Sequence, residues 1–266
     1  MKAYIVPVEN VCNARCFFCI TMFKKEKEYG TFLETKNLGK LKCLQGIDSL
    51  EITGGGEPLI HPKIDEIVKT SCQILPATLY TNGKLLSRLG REVLKRLRRV
   101  TISRHHFDET TNEKVMGIKY EDQVITETIK RGANVRLTAV LCKRGMSSVD
   151  EVWDYLLWGK SMGVKNVQIR QFFEFGYTPE IKSEIVRTEP ILRGLLLTHP
   201  ELRFKEEKYP TIYLGDLKAE FEGDKCACSA GVPNLRGDGK LYFGWTKTPL
   251  PIGFYKKDES TTTEPR

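Results

Sequence analysis

The chain reads as an α/β protein of six consecutive strand–helix units, and three observations carry that reading. Six short apolar segments, Ala3–Val8, Asp48–Thr53, Ala77–Thr81, Arg99–Ser103, Val135–Cys142 and Val164–Phe172, alternate with stretches of helical pattern, the signature of parallel βαβ units. Glycines and polar residues cluster after these strands rather than before them. Such loops form the ligand-binding mouth in α/β barrels and open α/β sheets alike. Finally, 266 residues with 40% hydrophobic side chains suffice for one large domain, or one domain with a small appendage.

The elements follow in order. Ala3–Val8 is a short strand leading into a cysteine-rich loop, and a charged stretch then ends in a helix around Leu33–Gln45. Asp48–Thr53 runs into Gly54, Gly55 and Gly56, and Pro62–Ser71 forms the next helix. Ala77–Thr81 stops at Asn82-Gly83, a turn-forming pair. A basic helix is expected next. It places Lys84, Arg88, Arg91, Lys95 and Arg99 on one face and Leu85, Leu86, Leu89, Val93, Leu94 and Leu97 on the other. Helical segments after Arg99–Ser103 extend to about Arg131. Val149–Met162 is an amphipathic helix between the last two strands, and the Ser/Thr-rich tail Glu259–Arg266 reads as disordered.

Charge and composition narrow the classes of function. Lys+Arg number 42 against 34 Asp+Glu, a formal net charge of +8, which suits an anionic substrate or a nucleic acid without requiring either. No apolar run approaches the roughly 20 residues that span a bilayer, and the first residues lack the pattern of a signal peptide. A cytoplasmic protein with no membrane partner is therefore expected. Eight cysteines sit in a chain too core-rich to depend on disulfides. Cys43, Cys72 and Cys142 lie in apolar or mixed segments and read as small core residues.

The chemistry begins at Cys12, Cys16 and Cys19, spaced C-x3-C-x2-C. Thiolates this close on one loop can wrap a soft metal centre. A [4Fe–4S] cluster normally takes four cysteines, so three would leave one iron open to a chelating ligand. A structural zinc site completed by Cys226 or Cys228 is the competing reading. Downstream, Gly54-Gly55-Gly56-Glu57-Pro58 closes a strand with glycines that admit close backbone approach and a carboxylate that can receive an ammonium group. The segment has neither the G-K-[ST] ending nor the G-x-G-x-x-G spacing of a phosphate loop.

Together these residues resemble the radical S-adenosylmethionine (radical SAM) superfamily. Cys12, Cys16, Phe18 and Cys19 match its C-x3-C-x-Φ-C motif, and Gly55-Gly56-Glu57-Pro58 matches its GGEP motif. Thr81-Asn82-Gly83 is similar to its third-strand motif and Val164–Arg170 to its sixth strand. The resemblance runs over roughly residues 3–175. It implies a partial (β/α)6 TIM-like barrel over residues 1–180, followed by a short C-terminal extension over 181–258. It also implies a [4Fe–4S] cluster on Cys12, Cys16 and Cys19. S-adenosylmethionine would be held by Phe18, Gly55, Gly56, Glu57, Thr81, Asn82 and Ser103, with Arg170 facing cofactor or substrate. The implied activity is reductive cleavage of S-adenosylmethionine to a 5′-deoxyadenosyl radical that abstracts hydrogen from a small molecule, nucleotide or peptide. A reducing donor such as flavodoxin or ferredoxin would be the partner.

Two segments depart from the family pattern. Many relatives carry Ser-x-Asp-Gly where this chain has Ser103-Arg104-His105-His106. Strand alternation puts Ser103 and His105 on one side, so His105 is a candidate to orient substrate or move a proton, while His106 reads as structural. In the extension, Cys226-Ala227-Cys228 resembles the start of auxiliary-cluster domains in peptide-modifying and molybdenum-cofactor relatives, but no cysteine follows Cys228. One cluster and a vestigial or substrate-capping hairpin are expected. A nucleic-acid-modifying enzyme of the same chemistry and a zinc- or cluster-stabilised binding module are the alternative functions.

Overall fold

The computed structural model describes residues 1–19, 30–171, 177–223, 232–243 and 249. In chain order the strands and helices are β1 (Lys2–Ile5), β2 (Val8–Glu9), β3 (Thr31–Phe32), β4 (Ser49–Ile52), α1 (Ile64–Ile74), β5 (Ala77–Thr81), α2 (Arg91–Arg96) and β6 (Arg99–Ser103). There follow α3 (Glu109–Met116), α4 (Gln123–Lys130), β7 (Val135–Leu141), α5 (Val149–Ser161), β8 (Asn166–Gln171), α6 (Pro179–Lys182) and α7 (Thr188–Thr198). The chain continues through β9 (Arg203–Glu206), β10 (Pro210–Leu214), β11 (Leu217–Glu222), β12 (Pro233–Leu235) and β13 (Leu241–Phe243).

One 11-stranded sheet organises the molecule, in the order β13-β12-β1-β4-β5-β6-β7-β8-β11-β10-β9. The six expected strands sit consecutively at its centre, each parallel to the next. The extension adds a parallel strand at each flank, β11 beside β8 and β12 beside β1. The parallel array is thus longer than the six units read from the sequence. β13 ends one edge and the β10–β9 pair the other, so among the described residues the sheet stays open.

Alternation along the strands sorts side chains by polarity. Leu50, Ile52, Leu79, Val100, Ile102, Leu137, Val167, Ile169 and Phe221 join one buried cluster with Ile67, Val93, Ile125, Leu156 and Leu195 of the helices. The intervening positions include Glu51, Tyr80, Thr101, Arg136, Thr138, Gln168, Arg170, Glu220 and Glu222. A closed (β/α)8 barrel fills its interior with branched apolar layers; here the inner face is polar and the apolar face meets the helices.

Several sequence expectations need correction. The basic helix is broken: a 3-10 turn at Leu86–Arg88 is followed by extended Leu89 and Gly90 before α2 begins. Arg88 turns its guanidinium onto the carbonyls of Leu59, Ile60 and His61, and Arg99 opens strand β6. The segment near Leu33–Gln45 forms a 3-10 helix over Thr35–Cys43, with Leu38 and Leu41 inward. Cys43 is exposed rather than a core residue, Cys72 is half-buried and Cys142 is buried. The extension's hairpin lies at the sheet edge, with Tyr4 in register with Asn234 and Asn234 with Tyr242. Its Gly239 carbonyl accepts from Lys40 Nζ at 2.5 Å. Phe172, Cys226, Cys228 and the tail lie outside the described residues. Among those described, no helix is long and apolar enough to cross a membrane.

Arg104, fully buried just past β6, fixes the loop that follows. Its guanidinium donates to the carbonyls of His106, Phe107 and Tyr120, pairs with Asp122 at 2.6 Å, and lies beside the rings of Tyr120 and Trp158. Removing the guanidinium leaves the carbonyls it binds without their donor, a loss of about 1–3 kcal/mol for each one buried. Arg104→Ala should therefore unfold at clearly lower urea concentration. An unchanged midpoint would show that this pair does not hold the loop.

Candidate active site

The cysteine loop is bound to the ends of three neighbouring strands. Asn10 N–H donates to Gly55 O at 3.0 Å and Glu57 N–H to Val11 O at 3.0 Å, tying it to the glycine segment after β4. Asn82 Nδ2, just past β5, donates to Asn13 Oδ1 at 2.6 Å. Arg15 and Phe17 N–H groups donate to the carbonyls of Met116 and Val115, at the end of the helix after β6. Gly117 ends that helix at φ +63°, and a Cβ there would meet Arg15 at 2.9 Å.

Glu57 stands at the centre of these links and is 3% exposed. Its Oε1 accepts from Leu59 N–H at 3.0 Å and Thr81 Oγ1 at 2.7 Å, and its Oε2 from Asn82 N–H at 2.8 Å. Burial pushes its carboxyl above the ordinary range, while the three donors pull the other way. With one donor on Oε2, an acceptor position remains for an incoming ammonium. The glycines divide in role. A Cβ on Gly54 would meet Val6 at 2.4 Å and one on Gly56 would meet Val11 O at 2.2 Å, whereas Gly55 would make only ordinary contact with Glu9 at 3.6 Å. The fold forbids side chains at Gly54 and Gly56 but not at Gly55.

The three thiols fit a polynuclear centre in chemistry and in placement on one loop. Burial and the neighbouring Cys19 and Cys12 sulfurs push the Cys16 thiol up to about 12, and burial raises Cys12 as well. Thiolates that repel one another are the soft donors a cationic iron centre binds. Among the described residues no three His, Cys, Asp or Glu side chains are grouped to hold a single metal ion. Cys12, Cys16 and Cys19 would each supply one thiolate to a cluster.

Other sequence candidates take distinct places. Thr81 Oγ1 donates to Glu57 and accepts from Gly83 N–H at 3.0 Å, and Asn82 Oδ1 accepts from Lys84 N–H at 3.1 Å. Both side chains are thereby engaged by the protein itself. Ser103 accepts the Tyr120 hydroxyl on its backbone carbonyl at 2.8 Å. Phe18 packs edge-on against His105, with ring centroids 5.0 Å apart. His105 is buried; its Nδ1 accepts from Val140 N–H at 3.0 Å, and its backbone N–H donates to Asn112 Oδ1 at 2.8 Å. Burial, then Arg170 and Arg104, push its pKa down to about 3. The hydrogen bond at Nδ1 assigns the neutral tautomer with its proton on Nε2, so His105 is a donor rather than an accessible base. His106 accepts Asp108 N–H and stacks on Phe107.

Gln168, Glu222 and Asn13 escaped the sequence reading. Arg170 Nε pairs with Glu222 Oε2 at 2.8 Å, and Gln168 Nε2 donates to the same oxygen at 3.0 Å. Glu222 belongs to β11, whose pairing with β8 has no local sequence signal. Asn13 lies between two cysteines and gave no cue that it would meet Asn82.

This convergence of a cysteine loop, a glycine–glutamate turn and a polar inner sheet face agrees with comparison to known proteins. Residues 6–157 match the family model of the radical SAM superfamily. The chain belongs to that superfamily, whose enzymes use a [4Fe–4S] cluster and S-adenosylmethionine. It is 30% identical to a probable GTP 3′,8-cyclase of Aeropyrum pernix over 61% of this chain and 49% of that protein. It is 27% identical to a GTP 3′,8-cyclase of Aquifex aeolicus over 91% of this chain and 81% of that protein. In fold it is similar to Streptococcus suis SuiB bound to S-adenosylmethionine, with TM-score 0.69, 18% identity and coverage of 94% of this chain and 62% of that one. The chain thus spans about half the length of the first relative and under two thirds of the SuiB chain.

Two tests follow. Gly56→Ala should displace the Val11 carbonyl and lower the thermal midpoint, whereas Gly55→Ala should leave it near wild type; equal effects would contradict the division of roles. Between pH 6.5 and about 3 the unfolded chain protonates His105 while the folded chain does not. Folded stability therefore falls as pH drops through that window. His105→Asn should flatten this slope by up to one proton, as read from denaturation midpoints against pH, and an unaltered slope would remove His105 as its source.

Proposed function

We propose that this chain is a radical SAM enzyme in which Cys12, Cys16 and Cys19 hold a [4Fe–4S] cluster beside an S-adenosylmethionine seat. Phe18, Gly55, Gly56, Glu57, Thr81, Asn82 and Ser103 would form that seat. The observation carrying the proposal is the network through Glu57 and Asn82, which joins the thiol loop to the glycine turn and the end of β5. When bound, the cluster and S-adenosylmethionine supply one-electron C–S cleavage and a hydrogen-abstracting radical.

The chain's own residues would do the rest. Glu57 would receive the ammonium of the methionyl end through Oε2, and Gly55 would let backbone approach it. Thr81 and Asn82 would act chiefly by orienting Glu57 and the loop. Phe18 would offer an apolar surface for the adenine. His105 would donate from Nε2 to an anionic or carbonyl-bearing substrate, and the Arg170–Glu222 pair would present both charges to it. The proposed substrate is a small polar molecule of the nucleotide class, supported by the relatives named GTP 3′,8-cyclases and by the polar inner face. The proposal includes one cluster, a core over 1–180 with an extension over 181–258, a cytoplasmic setting, and flavodoxin or ferredoxin as electron donor.

Anaerobic reconstitution tests this reading. Roughly four irons per chain are expected, with 5′-deoxyadenosine released under reduction. Cys16→Ala should lose the iron, while Cys43→Ala, Cys72→Ala and Cys142→Ala keep it; full iron in Cys16→Ala would reject the ligand assignment. About eight irons, halved on removing Cys226 and Cys228, would reject the single cluster. His105→Ala should retain the cluster and uncoupled cleavage while losing product with the true nucleotide substrate. Unchanged turnover would take His105 out of the reaction.

A further inference from the structure

A second polar site lies at the end of the barrel where β5, β6 and β7 begin, away from the strand ends that lead to Glu57, Asn82 and His105. A cavity of about 300 Å³ is lined there by Glu51, Thr78, Tyr80, Arg98, Arg99, Arg136, Lys208, Tyr209 and Glu220. This volume sits at the small end of ligand pockets. Lys208 and Tyr209 come from the turn between β9 and β10, within the extension; the other residues come from or adjoin the sheet.

The charges there do not cancel. Glu51 is already met by Lys2 at 3.0 Å and by the Tyr80 hydroxyl at 3.2 Å, and Glu220 by Lys218 at 3.0 Å. Arg136 Nη1 reaches Glu220 only at 3.9 Å, and its Nη2 donates to Tyr80 Oη at 3.1 Å. Among the described residues, no carboxylate lies within ion-pair distance of Arg98, Arg99 or Lys208. The buried Nε atoms of both Arg99 and Arg136 have no hydrogen-bond partner. Burial, then the Arg136 guanidinium, push the pKa of Arg99 down, against a smaller upward pull from Glu220. Two guanidiniums held close, each with an unmatched donor, are individually costly. An oxyanion between them would satisfy the free N–H groups and offset their repulsion, and guanidinium forks match phosphate geometry.

We infer that this cavity is an oxyanion site for a phosphate group, separate from the cluster and S-adenosylmethionine seat. Arg99 and Arg136 would form its floor, with Arg98 and Lys208 as rim cations. The assignment does not rest on the proposed reaction, because its contacts are complete without any residue of the mouth.

Calorimetric titration of the full chain with inorganic phosphate and with pyrophosphate, at constant ionic strength in chloride, tests it. Saturable binding of either is expected. Arg99→Gln should weaken it about tenfold or more, the loss of one charge-assisted hydrogen bond. Lys208→Gln, at an exposed turn, should weaken it several-fold and serves if Arg99→Gln proves unfolded by circular dichroism. A competition arm identifies the source: GTP displacing pyrophosphate one for one marks a nucleotide phosphate, and absence of competition marks a free oxyanion. No saturable binding above the chloride background, or wild-type binding in folded Arg99→Gln and Lys208→Gln, would overturn the inference. Either result leaves the iron content and S-adenosylmethionine cleavage of the mouth as a separate question.

Discussion

One buried carboxylate holds the mouth of this barrel together. Glu57 sits where the glycine segment after β4, the end of β5 and the cysteine loop meet, and it accepts from all of the first two while its own N–H binds the third. Burying a carboxylate costs several kcal/mol. Three hydrogen bonds to a charged group, each contributing about 1.5–3 kcal/mol, are of the same order and offset it. Such a group adds little net stability, but it has few alternative arrangements that satisfy it. Geometry is what it contributes, and through Asn82 and Asn13 that geometry reaches the thiols.

The polarity of the sheet is the second constraint. Helix packing takes most apolar strand positions, which leaves Glu51, Tyr80, Arg136, Gln168, Arg170, Glu220 and Glu222 to face inward, with Val140 packed beside Phe17 and Phe18 instead. Ion pairs and hydrogen bonds connect several of them. An inner wall of this kind suits a ligand rather than a packed core. It also explains why charged residues with no role at the mouth remain in the strands.

The extension contributes to the barrel as a structural participant. β11 brings Glu220 and Glu222 alongside Gln168 and Arg170, and β12 lengthens the sheet beyond β1. Edge strands expose unpaired backbone groups, and these additions cover both edges of the six-strand array. Glu222, the partner of Arg170, therefore reaches the site from more than 50 residues away in sequence.

The sequence by itself determined the six central strands, the loop carrying Cys12, Cys16 and Cys19, and the turn carrying Gly55, Gly56 and Glu57. These are legible because each depends on local pattern: alternating polarity, helix periodicity, and close spacing of like ligands. It misread the basic stripe, since Gly90 breaks the helix and Arg99 belongs to a strand; helical spacing alone cannot register where the backbone leaves the helix. Tertiary structure decided that Thr81 and Asn82 bind Glu57, that His105 is a neutral donor beneath Val140, and that Glu222 meets Arg170. Each of those facts is a contact between segments distant in the chain, where hydrogen-bond geometry and burial exist only after the strands have paired.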